Sequence, residues 1–551
     1  MKSFIPVGLV LLLAAVLYIP TLHTGFLTDD FLDCNHTLSE VPAAFSSQYG
    51  GGYRPLMILS WALDNKLWSV ENQTGWHAVN LFLLLVSSLC VYFFLGRFLK
   101  RKSGVIAGTA LFAFSFPMAV AVARVSWRTT VLALIPFLVS LILVSVWSSG
   151  SNKKWLAFAA AFFFLVSLLV KETAVSALPV IAVVAYCSAP ADSRWKKTLK
   201  AVVIAMVPLL IYALLRYRAM GFGVNYSAST SFGLFMVKNL ILQNAVVWAP
   251  WLSSISARVL FLLFPAAVYF VIPLWKYRIL VFTMGVFMIL PVSNLTLRPD
   301  LSVAALPGSA LFLGFLAQRL QRKVFLYPLG TVFFAGVILF SRDEIKTLIA
   351  ASDYVENTTQ RLAEIAGELP GSGPLFVEGV NSSVGVYGTF WPGEYMVPMQ
   401  MLGIDPGRFV TGTDRMWEGL ITEGEGYLVF MDENGISYRW APVSVDMYEG
   451  LPDTAIAISG PVVAGELIRY PSCTKQGEPD PLYLVSSTYP DSVVTVFPEI
   501  SGGEAVYNLA AEPVWLASDG VVLLAKNSQE LVFSSRNISL EQAVRNLEAK
   551  P

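Results

Sequence analysis

The sequence predicts a polytopic α-helical membrane protein, with about eleven transmembrane helices followed by a soluble mixed α/β domain. Three observations carry this. Of the 551 residues, 55% are hydrophobic and only 14% charged, whereas a soluble chain carries about 25% charge. The mean hydropathy is +0.61, and the apolar residues cluster in runs of roughly 16–20, each long enough to cross a bilayer. Basic residues follow every second run, as the positive-inside rule requires of a multi-span protein. The formal net charge is zero, so nothing points to a nucleic-acid partner.

Taken in order, the apolar spans read as 4–22, 79–96, 104–122, 129–147, 155–170, 174–188, 201–215, 255–275, 279–296, 303–318 and 325–341. The first, "MKSFIPVGLVLLLAAVLYIP", resembles a signal peptide, but no small-x-small cleavage site follows it, so it reads as a retained helix. Arg97, Lys100, Arg101 and Lys102 follow the second span, and Lys153 and Lys154 the fourth. Arg194, Lys196, Lys197 and Lys200 follow the sixth, Lys276 and Arg278 the eighth, and Arg319, Arg322 and Lys323 the tenth. These connections are expected in the cytoplasm, together with the N-terminus. The stretch "KNLILQNAVVWAPWL", 238–252, is apolar but short and polar-interrupted, and counting it as a span would break the charge alternation. It reads as interfacial or re-entrant.

The long first loop, 23–78, and residues 342–551 are then expected outside the cytoplasm. Residues 1–341 form the membrane domain. The tail gains Gly, Pro, Asp and Glu and loses long apolar runs. Within it "SRDEIKTLIAASDYVENTTQRLAEIAGELP" reads as a helix, and "PLFVEGV", "GYLVFMDENGISYRW", "DSVVTVF", "GVVLLAKN" and "ELVFSS" read as strands. The second of these is a hairpin turning at Asn434-Gly435. Of the four cysteines, Cys90 and Cys187 lie in apolar runs and read as packing residues, while Cys34 and Cys473 lie outside the spans and leave a pairing open.

Ionisable residues gather at the outer ends of spans. "TGFLTDDFLDC", 24–34, sets Asp29 and Asp30 side by side just past the first span, with Asp33 behind. Adjacent carboxylates near a bilayer repel each other and are poorly solvated, so they either point into water or are compensated. On an extended segment they would face opposite sides. His23, His36 and His77 lie in or beside the same loop, either because a polar loop collects polar residues or because acids and imidazoles hold a divalent cation, with Asp30 and His77 as its ligands. In "GGYRPLMILSWALDNKLWS", Arg54 precedes Pro55 and is biased to extended backbone. Its guanidinium either snorkels to the headgroups or lies free for a phosphate. Arg124 and Arg128 occupy the second outer loop. Lys171 and Glu172 sit where two spans meet, as an internal ion pair or with Lys171 on a phosphate. Arg216 and Arg298 open later outer loops. A transporter more often buries ionisable groups near the midplane.

"GFLTDDF", "YRPLMILSWALDNKLWSVENQTGWHAVNLFLLL" and "LVKETAVSALPV", in that order, resemble the GT-C glycosyltransferases. The nearest likeness is to the transmembrane O-mannosyltransferases with tetratricopeptide repeats and their bacterial relatives. The matching positions are Asp29–Asp30, Tyr53–Leu56, Trp76-His77 with Asn80, and Val170-Lys171-Glu172, over residues 1 to about 340. The family's His-Pro-x-His-x-Glu pattern is here "FPMAVA", which keeps only Pro117, its late Glu-Arg-Tyr pattern survives loosely as "RPDLSVAALPG", and the repeats are missing.

The resemblance implies a hexosyltransferase using a polyprenyl-phosphate-linked sugar donor at the outer face of a membrane, a bacterial inner membrane if the relatives are a guide, and a hydroxyl acceptor on protein, lipid or glycan. It implies Asp29 or Asp30 as catalytic base, Lys171, Arg54, Arg128, Arg216 and Arg298 as phosphate-binding cations, and Tyr53, His77 and Glu172 as support, with a divalent metal as the one cofactor to consider. A lipid-substrate flippase and an inactive scaffold with a partner-binding outer domain are the alternatives. Flipping without sugar transfer would mark the first, and function retained after removal of both acids the second. The topology has its own test. A reporter active only in the cytoplasm, fused after residue 360, is expected to be silent, and a signal from it would overturn the outer placement of loop and tail.

Overall fold

A computed structural model of the chain describes residues 4–50, 52–151, 153–221, 239–240, 242, 244, 247–248, 272, 274–288, 290, 299–320 and 327–369, and the backbone of strands beyond them. The chain divides into two compact units, Met1–Asp353 and Tyr354–Pro551.

The first unit is helical. Helix α1, Ile5–Tyr18, has proline in its first turn, where the missing N–H costs nothing, and a 3-10 turn over Ile19–His23 prolongs it. Four helical segments have the length and hydropathy of a bilayer crossing, Ile5–His23, Gln73–Leu95, Ser126–Ser148 and Arg194–Met220. A fifth is broken. Lys102–Phe114 (α6) and Phe116–Ala123 (α7) meet at 46°. Pro117 lacks the N–H that would bond back across the break, and Ser115 takes extended backbone instead. Shorter apolar helices are Lys154–Val170 (α9), Leu178–Ser188 (α10) behind a 3-10 turn at Glu172–Ala177, and Leu306–Leu320. The expected span 255–275 lies outside the described residues, as does most of 238–252.

Between the helices, packing relies on small side chains and hydroxyls, because lipid removes the hydrophobic incentive for helices to associate. Gly104 and Gly108 on α6 face the helix Leu306–Leu320, where a Cβ on Gly108 would lie 2.4 Å from the Ala310 carbonyl oxygen and one on Gly104 2.5 Å from that of Gly314. The Ser140 hydroxyl donates to the Ala160 carbonyl and that of Ser167 to the Ala133 carbonyl, each at 2.8 Å, tying α8 (Thr129–Ser148) to α9. Outward-facing positions such as Phe158 and Leu214 remain exposed, as a lipid-facing surface requires.

The stretch expected as loop 23–78 is largely helical: Asp29–Asp33 (α2), Val41–Ala44 (α3) and Pro55–Trp68 (α4). Helix α5 begins at Gln73, six residues ahead of the expected span, because the Asn72 side chain accepts the Gly75 N–H and caps it. His77 is therefore a helix residue. At the other end of the membrane unit, the last span and the tail helix expected after it are one helix, Tyr327–Glu368, of 42 residues. At 1.5 Å per residue that is about 60 Å, and the boundary expected at 341/342 falls inside it.

Strands lie in each stretch where the tail predicts them. Leu375–Glu378 pairs in parallel with Phe409–Val410 and with Glu425–Met431, and the latter pairs antiparallel with Tyr438–Ser444. A second sheet orders Val493–Val496, Leu482–Ser486, Val521–Asn527 and Glu530–Val532. The Asn434-Gly435 turn and Cys473 lie outside the described residues, among which Cys34, Cys90 and Cys187 are free thiols.

Candidate functional site

The two adjacent acids stand on α2, and the residue that leads into it is strained. Thr28 has φ 40° and ψ −116°, a conformation that costs a β-branched residue about 1–3 kcal/mol. Polar contacts from the α7–α8 connection hold it there. Arg124 donates through Nη2 to the Thr28 hydroxyl and, at 3.2 Å, to the Leu27 carbonyl, while its guanidinium lies 4.3 Å from the Trp127 ring centroid. Asp30 is fully buried and accepts the Ser126 backbone N–H at 2.7 Å and that of Leu27 at 3.2 Å.

Asp29 behaves differently. It is partly exposed, and its carboxylate has no hydrogen bond or ion pair among the described residues. The extended backbone expected for this pair is corrected to a helix, where successive side chains point about 100° apart. That divergence leaves one acid bound and the other available. Behind them Asp33 is buried, and Tyr49 donates its hydroxyl to it at 2.6 Å. Burial raises the Asp33 carboxyl well above its usual range, and the tyrosine bond offsets this only in part.

Three cations converge from the other side. Arg128 is 1% exposed and pairs through Nη1 with Asp64 of α4, with Asn80 at 3.5 Å from the same nitrogen. Its Nε and Nη2 are buried without a hydrogen-bond partner among the described residues. Asn80 fixes the connection from below, donating to the carbonyls of Val122 at 2.9 Å and Arg124 at 3.1 Å. Lys171 donates to the hydroxyls of Thr130 at 2.6 Å and Thr129 at 3.3 Å, the two residues next to Arg128. Arg54 grips Glu172 with Nε and Nη2, the former at 2.7 Å.

The last contact corrects two expectations. The Arg54 guanidinium is not free but engaged by Glu172, and Glu172 reaches across to Arg54, not merely to its neighbour Lys171. His77 is buried with the Thr24 hydroxyl 3.2 Å from Nε2, within electrostatic range of Asp30 and Arg128. Tyr53 is buried against Tyr212 and donates to the Phe45 carbonyl at 3.1 Å. Arg216 stands within α11, Arg194–Met220, rather than in a loop. Arg298 lies outside the described residues.

Asp30 and His77 are the pair the sequence offers to a divalent ion. Both Asp30 oxygens are occupied by backbone N–H groups, and among the described residues no three His, Cys, Asp or Glu side chains converge as ligands. Residues that the sequence reading passed over complete the site. Asp64, three positions from Trp61, shares that residue's buried helix face. Ser352 of the long helix accepts the Gly25 N–H through its hydroxyl, and nothing in the sequence signals that contact.

No family model matches the chain. Protein O-mannosyl-transferase Tmtc1 of Drosophila melanogaster is 31% identical over 182 residues, 30% of this chain and 21% of that protein. Protein O-mannosyl-transferase Tmtc2 of the same organism is 30% identical over 224 residues, 37% of this chain and 24% of that protein. These similarities bear out the resemblance read from the motifs, though the alignments span under a quarter of the relatives' length. ArnT from Cupriavidus metallidurans, in the apo state and bound to undecaprenyl phosphate, aligns over 77% of this chain and 92% and 93% of those chains, with TM-scores of 0.46 and 0.45 at 13% and 12% identity.

Two outcomes check the geometry. Asp64→Ala strands a buried guanidinium and is expected to cost about 3–5 kcal/mol, while an apolar pair at both positions costs less than the two single losses combined. Thermal unfolding of the four proteins in detergent reads this, and additive losses would show that the pair is not coupled. Asp33 gives a pH signature. An acid whose folded-state pKa is raised contributes stability below its unfolded pKa of about 3.9 and loses it as pH climbs through the folded value. Asp33→Asn keeps the acceptor for Tyr49 and has no proton to lose. Its melting temperature relative to the parent is therefore expected to rise between about pH 5 and pH 8, and a flat difference would place the Asp33 carboxyl in its ordinary range.

Proposed function

We propose that this chain is a GT-C-type glycosyltransferase that moves a hexose from a polyprenyl-phosphate donor to an acceptor hydroxyl at the outer face of the membrane. The observation that carries the reading is the arrangement around the α7–α8 connection. One face presents Asp29, a carboxylate without a hydrogen-bond or ion-pair partner among the described residues. The other presents Arg128, with two unpartnered nitrogens, beside Lys171. A sugar phosphate needs both features, a base for the incoming hydroxyl and cations for the departing phosphate. The O-mannosyltransferase relatives support sugar transfer as the chemistry.

In this reading the acceptor oxygen forms a bond to the anomeric carbon as the bond from that carbon to the phosphate oxygen breaks, through an oxocarbenium-like transition state. Asp29 takes the hydroxyl proton. The bonding electron pair leaves on the phosphate, where Arg128 and Lys171 meet the growing charge. Cations already fixed in a site of low dielectric stabilise it without reorganising. Asp30 acts through position, holding the turn on which Asp29 stands. Arg54 holds Glu172 in the 3-10 turn next to Lys171, and Arg216 and Arg298 are further candidate cations for the donor.

The test is transfer from a panel of radiolabelled polyprenyl-phosphate sugars in membranes holding the chain. Label is expected in a hydroxyl-bearing acceptor with the parent protein. Asp29→Asn is expected to lower turnover by about 10²–10⁴-fold while donor binding holds, the scale of a general base. Asp30→Asn is expected to lower thermal stability first, since an amide cannot accept both backbone N–H groups as the carboxylate does. Near-parental transfer by Asp29→Asn would sink the assignment of the base.

A further inference from the structure

Within the first unit, the long helix Tyr327–Glu368 is fastened to both sides of the candidate site. Val337 packs with Val10 and Ala14 of α1 and with Phe114 of α6. One turn on, the Phe340 ring meets that of Phe116 edge-on at 5.1 Å, and the Ser341 hydroxyl donates to the Phe114 carbonyl at 2.8 Å. That carbonyl stands at the break between α6 and α7, where helical acceptors run out of helical donors. Helix α7 leads from this point to Arg124 and the connection that carries Arg128. Eleven residues beyond Ser341 on the long helix, about 17 Å along its axis, the Ser352 hydroxyl accepts the Gly25 N–H. Four residues after Gly25 comes Asp29.

The approach of Ser352 to Gly25 depends on the glycine. Gly25 does not take the left-handed backbone that favours this residue. A Cβ there would instead lie 2.9 Å from the Ser352 Oγ and 3.0 Å from the Gln73 Oε1, so the missing side chain is what admits the hydroxyl. Ser341 and Ser352 are both buried, and the helix continues to Glu368, so neither stands at a fraying end. A buried amide or carbonyl needs a partner, and that accounts for a hydroxyl at each place. It does not account for both hydroxyls coming from one helix, whose backbone fixes the distance between them.

We propose that the long helix is a strut that sets the separation between Asp29 and the cationic connection, with Ser352 as a positioning residue for Asp29 and Ser341 for the connection. The proposal rests on the role given to Asp29 in the reaction above. Displacing a reacting group by about 1 Å can cost about 10²-fold in rate, so a single rigid element spanning both sides has a direct catalytic consequence.

Turnover and donor KM are measured in membranes with the radiolabelled polyprenyl-phosphate sugar that the parent chain uses. Ser352→Ala is expected to lower turnover about 10–100-fold at unchanged donor KM, and Ser352→Thr, which keeps the hydroxyl, to restore it. In the Asp29→Asn background Ser352→Ala is expected to lower turnover no further, since a base already removed cannot be misplaced. Ser341→Ala is expected to lower turnover with and without Asp29. Gly25→Ala pushes the segment off Ser352 with every hydroxyl in place and is expected to reproduce the Asp29-dependent loss, which keeps the test decisive even if Ser352→Ala does not fold. Hydrogen exchange of the full chain in detergent reads the strut apart from the chemistry. Residues 24–30 are expected to exchange about tenfold faster in Ser352→Ala and at the parental rate in Ser341→Ala. Parental turnover in Ser352→Ala or Gly25→Ala, equal fractional loss with and without Asp29, or unchanged exchange in Ser352→Ala would overturn the strut. A parent chain that transfers no label from any donor would overturn the function proposed above, and the exchange measurement then decides the strut by itself.

Discussion

The end of the helical unit that carries Asp29 depends on the Asp30 carboxylate, which accepts two backbone N–H bonds, one from Leu27 beside it and one from Ser126, 96 residues further along the chain. Both donors are buried, where an unmet N–H costs about 1–3 kcal/mol. The carboxylate thus satisfies them and fastens the segment after α1 to the connection between α7 and α8. Arg124 adds a second clasp on the Thr28 hydroxyl and the Leu27 carbonyl. Together they outweigh the strain at Thr28, and that strained residue leads into the helix whose geometry turns Asp29 away from Asp30.

Much of this was legible from the residues, and the part that was not has physical causes. Two adjacent acids near a membrane are either compensated or point into water, and Asp30 is compensated while Asp29 is partly exposed. The compensation includes the backbone N–H of Ser126, and a backbone group leaves no mark in a sequence. Lys171 and Glu172 look like a pair because they are neighbours, yet α9 ends at Val170, Lys171 is extended, and a 3-10 turn begins at Glu172. The two side chains reach in different directions, Glu172 to Arg54, 118 residues away. Asp64 sits in the stretch 23–78 that the sequence marks as a loop, and its burial follows only from the fold that brings Arg128 to it. The helix Tyr327–Glu368 reads as a span followed by a separate helix because hydropathy reports what surrounds a helix, not whether its backbone continues.

The pairing pattern sorts the cations. Arg54 and Arg128 each meet a carboxylate, from Glu172 and Asp64. A buried ion pair contributes little net stability after desolvation, but it fixes geometry, because breaking it leaves a charge with no compensation. Arg54 is held by two nitrogens and its fork is largely committed. Arg128 is held by one, and the remaining two donors keep their capacity. In a buried setting such unmet donors are costly in the empty protein and rewarded by an anion that accepts from them. The same residue therefore anchors α4 through Asp64 and, in the proposed reaction, turns its other edge to the phosphate.

These requirements meet in the segment from Arg124 to Thr130. It supplies the clasp on Thr28, the N–H for Asp30, the guanidinium that pairs with Asp64 and the two hydroxyls that accept from Lys171. Its own position is set from both ends by rigid helices, and from below by Asn80, which holds the carbonyls of Val122 and Arg124. A shift in this connection would move acid and cations together, preserving their spacing, whereas four independent loops would have to be ordered one at a time at about 1–2 kcal/mol per residue. The bond from the Gly25 N–H to Ser352 applies the same logic to the acid side, because it ties the segment leading to Thr28 to a long helix rather than to another loop. Opposed charges can be kept at a fixed separation at the membrane surface because every element that carries one of them is anchored to a helix.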